Sequence, residues 1–405
     1  MKIVILSETF AENMGYIQNL LPKYLALRGE EVHVISMNLA PYYQVQGAKS
    51  IYSEFLGCEE LRVGSEREID GFTLHVLDHK KQIGYMRMVG LREKLHEIHP
   101  DIVQTGAAVG WIPLDAALIK PSLGYKLFAD THYHASVFPL ASTRHPMVTL
   151  QGLGCFVARA VPGYLISLAT EKCYAVSVDC ADVASRFFGV PERKIDICPL
   201  GVDTLLFSPI RDEDGKRKRQ ELRKQLGFSD NEIVCVYSGR FTVEKNPLVL
   251  AQAVEKLISN GHPYRALFVG NGPQAESIRQ CKGAVVHAFV PVHELATYFR
   301  AGDIGVWPRQ ESMSMLDAAA CGIPIVVNDT LIATERIEGN GLKYKQNDVD
   351  DLTRVLLSLA SLELRRSLGT HGAEKMKNHF SWEAIADRRL RDYQNSLNGH
   401  GRSLR

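Results

Sequence analysis

Short runs of β-branched and other apolar residues alternate along this chain with longer stretches whose apolar positions recur every three or four residues. The first pattern marks strands buried on both faces and the second marks amphipathic helices. Their alternation predicts βα units around mostly parallel sheets. In the first half, strands are expected at KIVILS (2–7), EVHVIS (31–36), FTLHVL (72–77), DIVQTG (101–106), YKLFADT (125–131), CYAVSVD (173–179) and KIDICPL (194–200). Between the first two, IQNLLPKYLALRG has helical spacing and stops on Gly29.

From about Val202 to Asp230 the texture turns charged and Pro- and Gly-punctuated, which reads as a solvated linker with a surface helix and marks a domain boundary. The pattern then restarts. Strands are expected at EIVCVYSG (232–239), YRALFVG (264–270), AVVHAFV (284–290), DIGVWP (303–308) and PIVVN (324–328), separated by helices over 247–260, 273–281, 292–300 and 313–321. FSWEAIADRRLRDYQNSL (380–397) reads as a last amphipathic helix, followed by a frayed tail. The apolar stretch 153–170 carries Arg159 and Pro162 in its middle and is expected to be a buried helix pair, not a membrane span.

Composition narrows the picture. The 405 residues are too many for one core and suit two. Forty-seven basic against 46 acidic side chains leave a formal net charge of +1, so a global polyanion-binding field is excluded and no nucleic-acid partner is expected. The eight cysteines include no C-x-x-C pair, which argues against structural zinc and suits a reducing cytoplasm. The N-terminus reads as a first strand and not as a signal peptide.

Candidate chemistry concentrates in the second half. In YSGRFTVEKNP (237–247) a strand ends on Gly239, and Arg240 and Lys245 follow on the loop. A glycine beyond a strand admits close approach to the backbone, and two cations five residues apart can clamp a pyrophosphate. The bland alternative is two solvated cations partnered by Glu244. In LFVGNGP (267–273), Gly270 and Asn271 either bring amides toward a phosphate or nucleoside or form a tight structural turn. In PRQESMSMLDAAACGIPIVVN (308–328) a strand leads through Glu311, Ser312, Met313 and Ser314 into a helix containing Met315 and Asp317. The helix start suits an anion, and Glu311 and Asp317 can bracket a sugar nucleotide by accepting paired hydrogen bonds from its hydroxyls.

Together these segments resemble the retaining glycosyltransferases of the two-Rossmann type, the GT-B fold of glycosyltransferase family 4. The resemblance is strongest over 195–382, through CPLGVDTLLFSP and the blocks above, and looser over SETFAENMGYIQNLLPKYLALRGEEVHVIS and FADTHYH. It implies an α/β chain with two Rossmann-like domains facing a central cleft. Residues 1–201 would bind the acceptor, 202–380 the nucleotide-sugar donor, and 381–397 would pack back on the first domain ahead of a tail at 398–405. Gly239, Arg240 and Lys245 would hold the donor diphosphate, Glu311 the donor sugar and Asp317 the ribose. Gly15, in Asn13-Met14-Gly15, would lie beneath the donor, and His132 would be the active-site histidine, with His134 as runner-up.

The resemblance implies transfer from a UDP- or GDP-sugar to a glycan, lipid-linked or small-molecule acceptor, with retention and without metal or other cofactor. It places the protein in the cytoplasm, with contact to the inner face of the membrane left open. Two features depart from the family pattern. Its two carboxylates stand eight residues apart, whereas Glu311 and Asp317 stand six apart, so a two-residue loop shortening is needed unless Arg309 takes the first position. The paired N-terminal glycines are reduced to Gly15. A non-catalytic nucleotide-sugar-binding protein and a sugar-nucleotide epimerase of the same fold are the alternatives, while the absence of G-x-G-x-x-G in SETFAENMGY speaks against a nicotinamide enzyme. Lys80, Lys81, Arg87, Arg92 and Lys94 could face anionic lipid or form a solvated face offset by Glu93 and Glu97, and Arg144-His145-Pro146 could meet an acceptor phosphate.

Overall fold

The expected apolar runs become the strands of two parallel sheets. The computed structural model describes residues 1–12, 15–41, 61–135, 138–142, 149–310 and 312–399. It divides into two units, the first holding the chain up to Leu200 together with Glu383 onward, the second running from Gly201 to Trp382.

The strands of the first unit are β1 (Lys2–Ser7), β2 (Glu31–Met37), β3 (Glu66–Ile69), β4 (Phe72–Leu77), a separate hairpin β5–β6 (His79–Gln82 and Tyr85–Met88), β7 (Ile102–Thr105), β8 (Lys126–Thr131), β9 (Thr170–Ala175) and β10 (Ile195–Ile197). Its helices are α1 (Ile17–Ala26), α2 (Leu91–Ile98), α3 (Trp111–Leu123), α4 (Leu150–Cys155), α5 (Val161–Ala169) and α6 (Val178–Phe188). The main sheet runs β10-β9-β8-β7-β1-β2-β4-β3, parallel except for the β3–β4 pair. Ile3, Val4, Ile5 and Leu6 are all buried, as a strand covered on both faces requires. The strand expected over 173–179 instead spans Thr170–Ala175. Val178 opens a helix, because Ser177 precedes it and Asp179 sits in its first turn, where a carboxylate meets the positive end of the helix dipole.

The apolar stretch 153–170 is not a buried helix pair. It is one helical run, α4 and α5 joined by a π-turn over Phe156–Ala160, with a closed inner face and an open outer one. On the inner face, a Cβ on Gly163 would lie 1.9 Å from the Phe188 carbonyl oxygen, and one on Gly189 would lie 2.1 Å from that of Ala160. Backbone therefore packs on backbone there. Apolar composition reports that a segment avoids water, not which of its faces has a partner.

The last helix, α14 (Trp382–Leu397), belongs to the first unit from Glu383 onward. Arg28 pairs with Asp387 and Glu383, and Lys172 and the Tyr174 hydroxyl both reach Asp392. Deeper, Arg389 donates to Asp130 at 2.8 Å with both side chains buried, and its guanidinium lies 4.1 Å from the Tyr174 ring centroid.

The second unit holds β11 (Ile233–Ser238), β12 (Tyr264–Val269), β13 (Ala284–His287), β14 (Ile304–Trp307), β15 (Ile325–Asn328) and β16 (Gly341–Tyr344), in the parallel order β13-β12-β11-β14-β15-β16. Its helices are α7 (Glu213–Gln225), α8 (Leu248–Ser259), α9 (Ala275–Gln280), α10 (Val292–Ala301), α11 (Ser314–Ala320), α12 (Val349–Ser358) and α13 (Leu362–His379). The stretch expected to hold a solvated linker and a surface helix does form a mostly exposed helix, α7, but that helix is anchored at one point. Buried Arg223 of α7 donates to Asp303 and to the carbonyls of Ala301, Ser229 and Glu232, while Arg219 also pairs with Asp303. A charge-rich helix can dock through one buried, well-partnered guanidinium as well as through an apolar stripe.

Candidate functional site

In the sheet of the second unit, β12, β11 and β14 are neighbours, so the loops leaving their carboxyl ends are brought together. Those loops carry Gly239–Asn246, Gly270–Gln274 and, after β14, Pro308–Gln310 with Ser312 and Met313. In a parallel sheet of this kind ligands bind at the carboxyl ends of the strands.

The first two loops are clamped to each other. The Gly239 amide donates to the Val269 carbonyl at 3.1 Å, that of Phe241 to Asn271 at 2.9 Å, and that of Gln274 to Phe241 at 3.0 Å. Gly270 stands at φ +156°, and a Cβ there would lie 1.9 Å from the Gly239 carbonyl oxygen. A Cβ on Gly272, at φ +150°, would lie 2.8 Å from that of Phe241. The two glycines thus have a structural task, independent of any phosphate: they let one loop lie on the backbone of the other. Gly270→Ala is expected to destabilise the second unit by about 2–3 kcal/mol, since neither backbone can yield without breaking this clamp. Urea titration checks it, and a wild-type midpoint would show that the loops separate easily.

Three basic side chains belong to this edge. The Tyr237 hydroxyl donates to the Arg240 carbonyl at 2.9 Å and fixes the backbone from which that guanidinium departs. The turn carrying Lys245 closes through its amide on Thr242 at 3.1 Å, with Asn246 at φ +47° just before Pro247 and α8. Arg309 donates to the Val243 carbonyl at 3.0 Å, which ties the β14 loop to the β11 loop. The Glu244 carboxyl is held below its ordinary range, first by the Thr242 hydroxyl and by backbone, and further by the charges of Arg240 and Arg309. In the sequence Arg309 stands out only as a misfit in the first carboxylate position. Its contact adds it to the cationic edge, a role that a loop-to-loop distance reveals and a motif does not.

The start of α11 is pinned to the end of β11. The Ser314 hydroxyl donates to the Ser238 carbonyl at 3.1 Å, the Trp307 indole donates to both Ser314 Oγ (3.1 Å) and Ser238 O (3.3 Å), and the Ser312 and Ser314 hydroxyls lie 2.8 Å apart. Met315 is buried in the core beneath, so it supports the turn by packing. Met313 is half-buried at the helix cap. Helix α11 spans only seven residues, a short run of aligned dipoles, so the guanidinium and ammonium groups outweigh it as anion partners. Half-buried Asp317 makes no side-chain hydrogen bond among the described residues. Burial pushes its carboxyl well above the ordinary range, and the charge of buried Asp203 adds to the shift. A carboxylate accepts paired hydrogen bonds from vicinal hydroxyls. Glu311 lies outside the described residues.

The other sequence candidates lie at the carboxyl edge of the first unit's sheet. Gly15 stands at φ +62° in the loop after β1, and its neighbours Asn13 and Met14 lie outside the described residues. His132 follows β8. Burial lowers its pKa, opposed by the Asp130 carboxylate and reinforced by Arg389 and His134, so the ring is neutral at neutral pH. His134 faces another partner: its Nδ1 lies 3.1 Å from Asp179, which also accepts from the Ser177 hydroxyl (2.5 Å) and the Ala135 amide (3.0 Å). These bonds hold Asp179 below the carboxylate range although burial works the other way. The Cys180 thiol joins them, the three potential ligand atoms lying within 4.8 Å of one another. Sequence spacing could not show this cluster, because His134 and Asp179 are 45 residues apart. Arg144, His145 and Pro146 lie outside the described residues.

Residues 232–361 match the family model described as "Glycosyl transferases group 1". The chain carries a group 1 glycosyl transferase domain. Its edge residues Gly239, Arg240, Lys245, Gly270, Asn271, Arg309 and Asp317 all fall inside the matched span. Among curated relatives, the D-inositol 3-phosphate glycosyltransferase of Rhodococcus erythropolis is 27% identical over 296 residues, 65% of each chain. That of Segniliparus rotundus is 26% identical over 312 residues, covering 72% of this chain and 64% of the relative. These matches thus span just under two thirds of the relatives' length. Among solved structures, HepE from Anabaena, crystallised in complex with UDP, superposes with a TM-score of 0.68 at 14% identity, covering 98% of this chain and all of that one. Sucrose-phosphate synthase from Thermosynechococcus elongatus gives 0.68 at 15% identity, covering 98% and 99%. The fold around the glycosyl transferase domain is therefore GT-B, with two Rossmann-like units.

Proposed function

We propose that the chain is a glycosyltransferase that moves a sugar from a nucleoside diphosphate sugar to an acceptor hydroxyl with retention at the anomeric carbon. The observation that carries this reading is the convergence of the β11 and β14 loops, with Arg240, Lys245 and Arg309, at one sheet edge of the glycosyl transferase domain.

Departure of a nucleoside diphosphate builds negative charge on its phosphates. Arg240 and Lys245 would stabilise that charge without reorganising, since their loop is fixed by Tyr237 and by the Thr242 turn. Asp317 would engage the ribose hydroxyls, and Glu311 the hydroxyls of the transferred sugar. His132, as a neutral imidazole, would hydrogen-bond the reacting sugar, while His134 stays with Asp179. The reading needs no metal, because side-chain cations meet the leaving group. We place the reaction in the cytoplasm.

HepE has been crystallised with UDP and with UDP-glucose, which makes UDP the first nucleotide to test. Thermal shift with UDP, GDP and ADP discriminates among bases. At a concentration of about 100 Kd the matching nucleotide should stabilise the protein by about 2.7 kcal/mol, and the others should leave it unmoved. A protein indifferent to all three would overturn the reading. Tight binding without transfer to any acceptor, and without donor turnover, would point to a nucleotide-sugar-binding protein instead.

A further inference from the structure

The outer face of the helical run Leu150–Ala169 is apolar and open to solvent. Leu150, Leu153, Val157, Val161, Tyr164 and Leu168 follow one another at steps of three or four residues, and each keeps between 43% and 91% of its surface exposed. Adjoining apolar side chains at this density are unusual on a soluble monomer and mark a docking surface. Among residues 150–169 there is no acidic side chain and one cation, Arg159. Its guanidinium lies 6.0 Å from the Tyr85 ring centroid and 5.4 Å from that of Phe138, which sets the hairpin β5–β6 beside the run.

That hairpin completes the pattern. Its tip carries Ile83, 82% exposed and at φ +46°, and its first strand carries exposed Lys80 and Lys81, neither in an ion pair among the described residues. Two of the other cations that could face lipid are engaged elsewhere: Arg87 is bidentate to Asp115, and Lys94 bridges Glu66 and Glu97. An acid-free apolar face next to an apolar-tipped basic hairpin is complementary to a surface that is anionic outside and apolar within.

We propose that this face of the first unit lies on an anionic phospholipid bilayer, with the run Leu150–Ala169 in the plane of the membrane and Lys80 and Lys81 among the headgroups. Residues 152–169 are long and apolar enough to span a bilayer by length and composition. The contact of Gly163 with the Phe188 carbonyl decides for lying on it, because that inner face leaves no room for lipid. The inference is independent of the sugar-transfer reading.

Flotation of the full chain with vesicles tests it without any activity assay. Binding to equal parts phosphatidylglycerol and phosphatidylcholine should exceed binding to phosphatidylcholine alone by about tenfold or more, at about 1 kcal/mol per lysine near the surface. Leu153→Ser with Val157→Ser alters only exposed positions and should weaken binding at least about tenfold, with an unchanged melting temperature. Lys80→Gln with Lys81→Gln should abolish the preference for phosphatidylglycerol. A second readout needs no variant. Trp307 and Trp382 are each 1% exposed, whereas the Trp111 indole donates to the Gln82 carbonyl at the hairpin, so brominated lipid should quench Trp111 selectively. Absence of vesicle binding, or binding that survives the helix substitutions, overturns the proposal. So does extraction only by detergent, which would indicate a spanning helix, or a solution dimer that Leu153→Ser with Val157→Ser dissociates, which would assign the face to a second copy.

Discussion

Lys245→Ala is expected to lower sugar transfer by about two to three orders of magnitude, with Arg240→Ala in the same range, as for loss of one preorganised partner of a charge that develops at the transition state. On the proposed reading the effect should fall on kcat more than on acceptor KM, because the cation would meet the leaving diphosphate and not the incoming hydroxyl. If both cations act on one leaving group, as proposed, the double variant should lose less than the product of the two single losses. The Arg309 guanidinium is already bonded to the Val243 carbonyl, and Arg309→Ala should cost activity less steeply while loosening the loop pair. Steady-state rates with saturating donor, compared with nucleotide affinity by calorimetry, check this. Transfer by Lys245→Ala within about threefold of wild type would remove the basic pair from the mechanism.

Arg389→Met is expected to destabilise the first unit by about 3–5 kcal/mol, the effect of removing one partner of a buried ion pair. Asp130 would keep only the Gln104 amide, at 3.0 Å, in a site where both carboxylate and guanidinium are shielded from water. In thermal unfolding this corresponds to a loss of about 10 °C. Pairing the change with Asp130→Leu should recover most of the stability, since two apolar side chains replace two charges and only the Gln104 amide loses a partner. If the double variant is no better than the single one, Arg389 acts through packing alone. The groups acting on His132 are Asp130, Arg389 and His134. With Arg389 gone and Asp130 ionised, the His132 pKa should rise, and the acid limb of the rate profile should move to higher pH. In the native protein the lowered pKa works in one direction. Its contribution to stability is present above about pH 6.5 and is lost as pH falls from there through the folded value, because the unfolded chain binds the proton first.

The central strands were legible because a strand covered on both faces leaves an unbroken apolar run, as KIVILS and EIVCVYSG do. What escaped was decided by partners distant in sequence. The strand Gly341–Tyr344 lies at a sheet edge and offers no long apolar run, while the β5–β6 hairpin contains HKKQ and YMRM, which have little β-branched content. The anchoring of α7 through Arg223 escaped because a charge is usually exposed, and its partner Asp303 lies 80 residues away. In the site, the Gly239, Arg240 and Lys245 spacing was readable because one loop carries all three. The tether from Arg309 and the anchoring of Ser314 to Ser238 depend on strand neighbours that no local pattern reports.

The placement of the final helix reverses the usual order of assembly on the ribosome. Domains generally complete themselves as they emerge, first-made first. Here Asp130 waits for Arg389, 259 residues later, and Gln104 waits for Tyr393. A nascent chain arrested before Arg389 should therefore be open to protease across its first two hundred residues while its second unit is already resistant. The half of the protein that is born first is the half that finishes last.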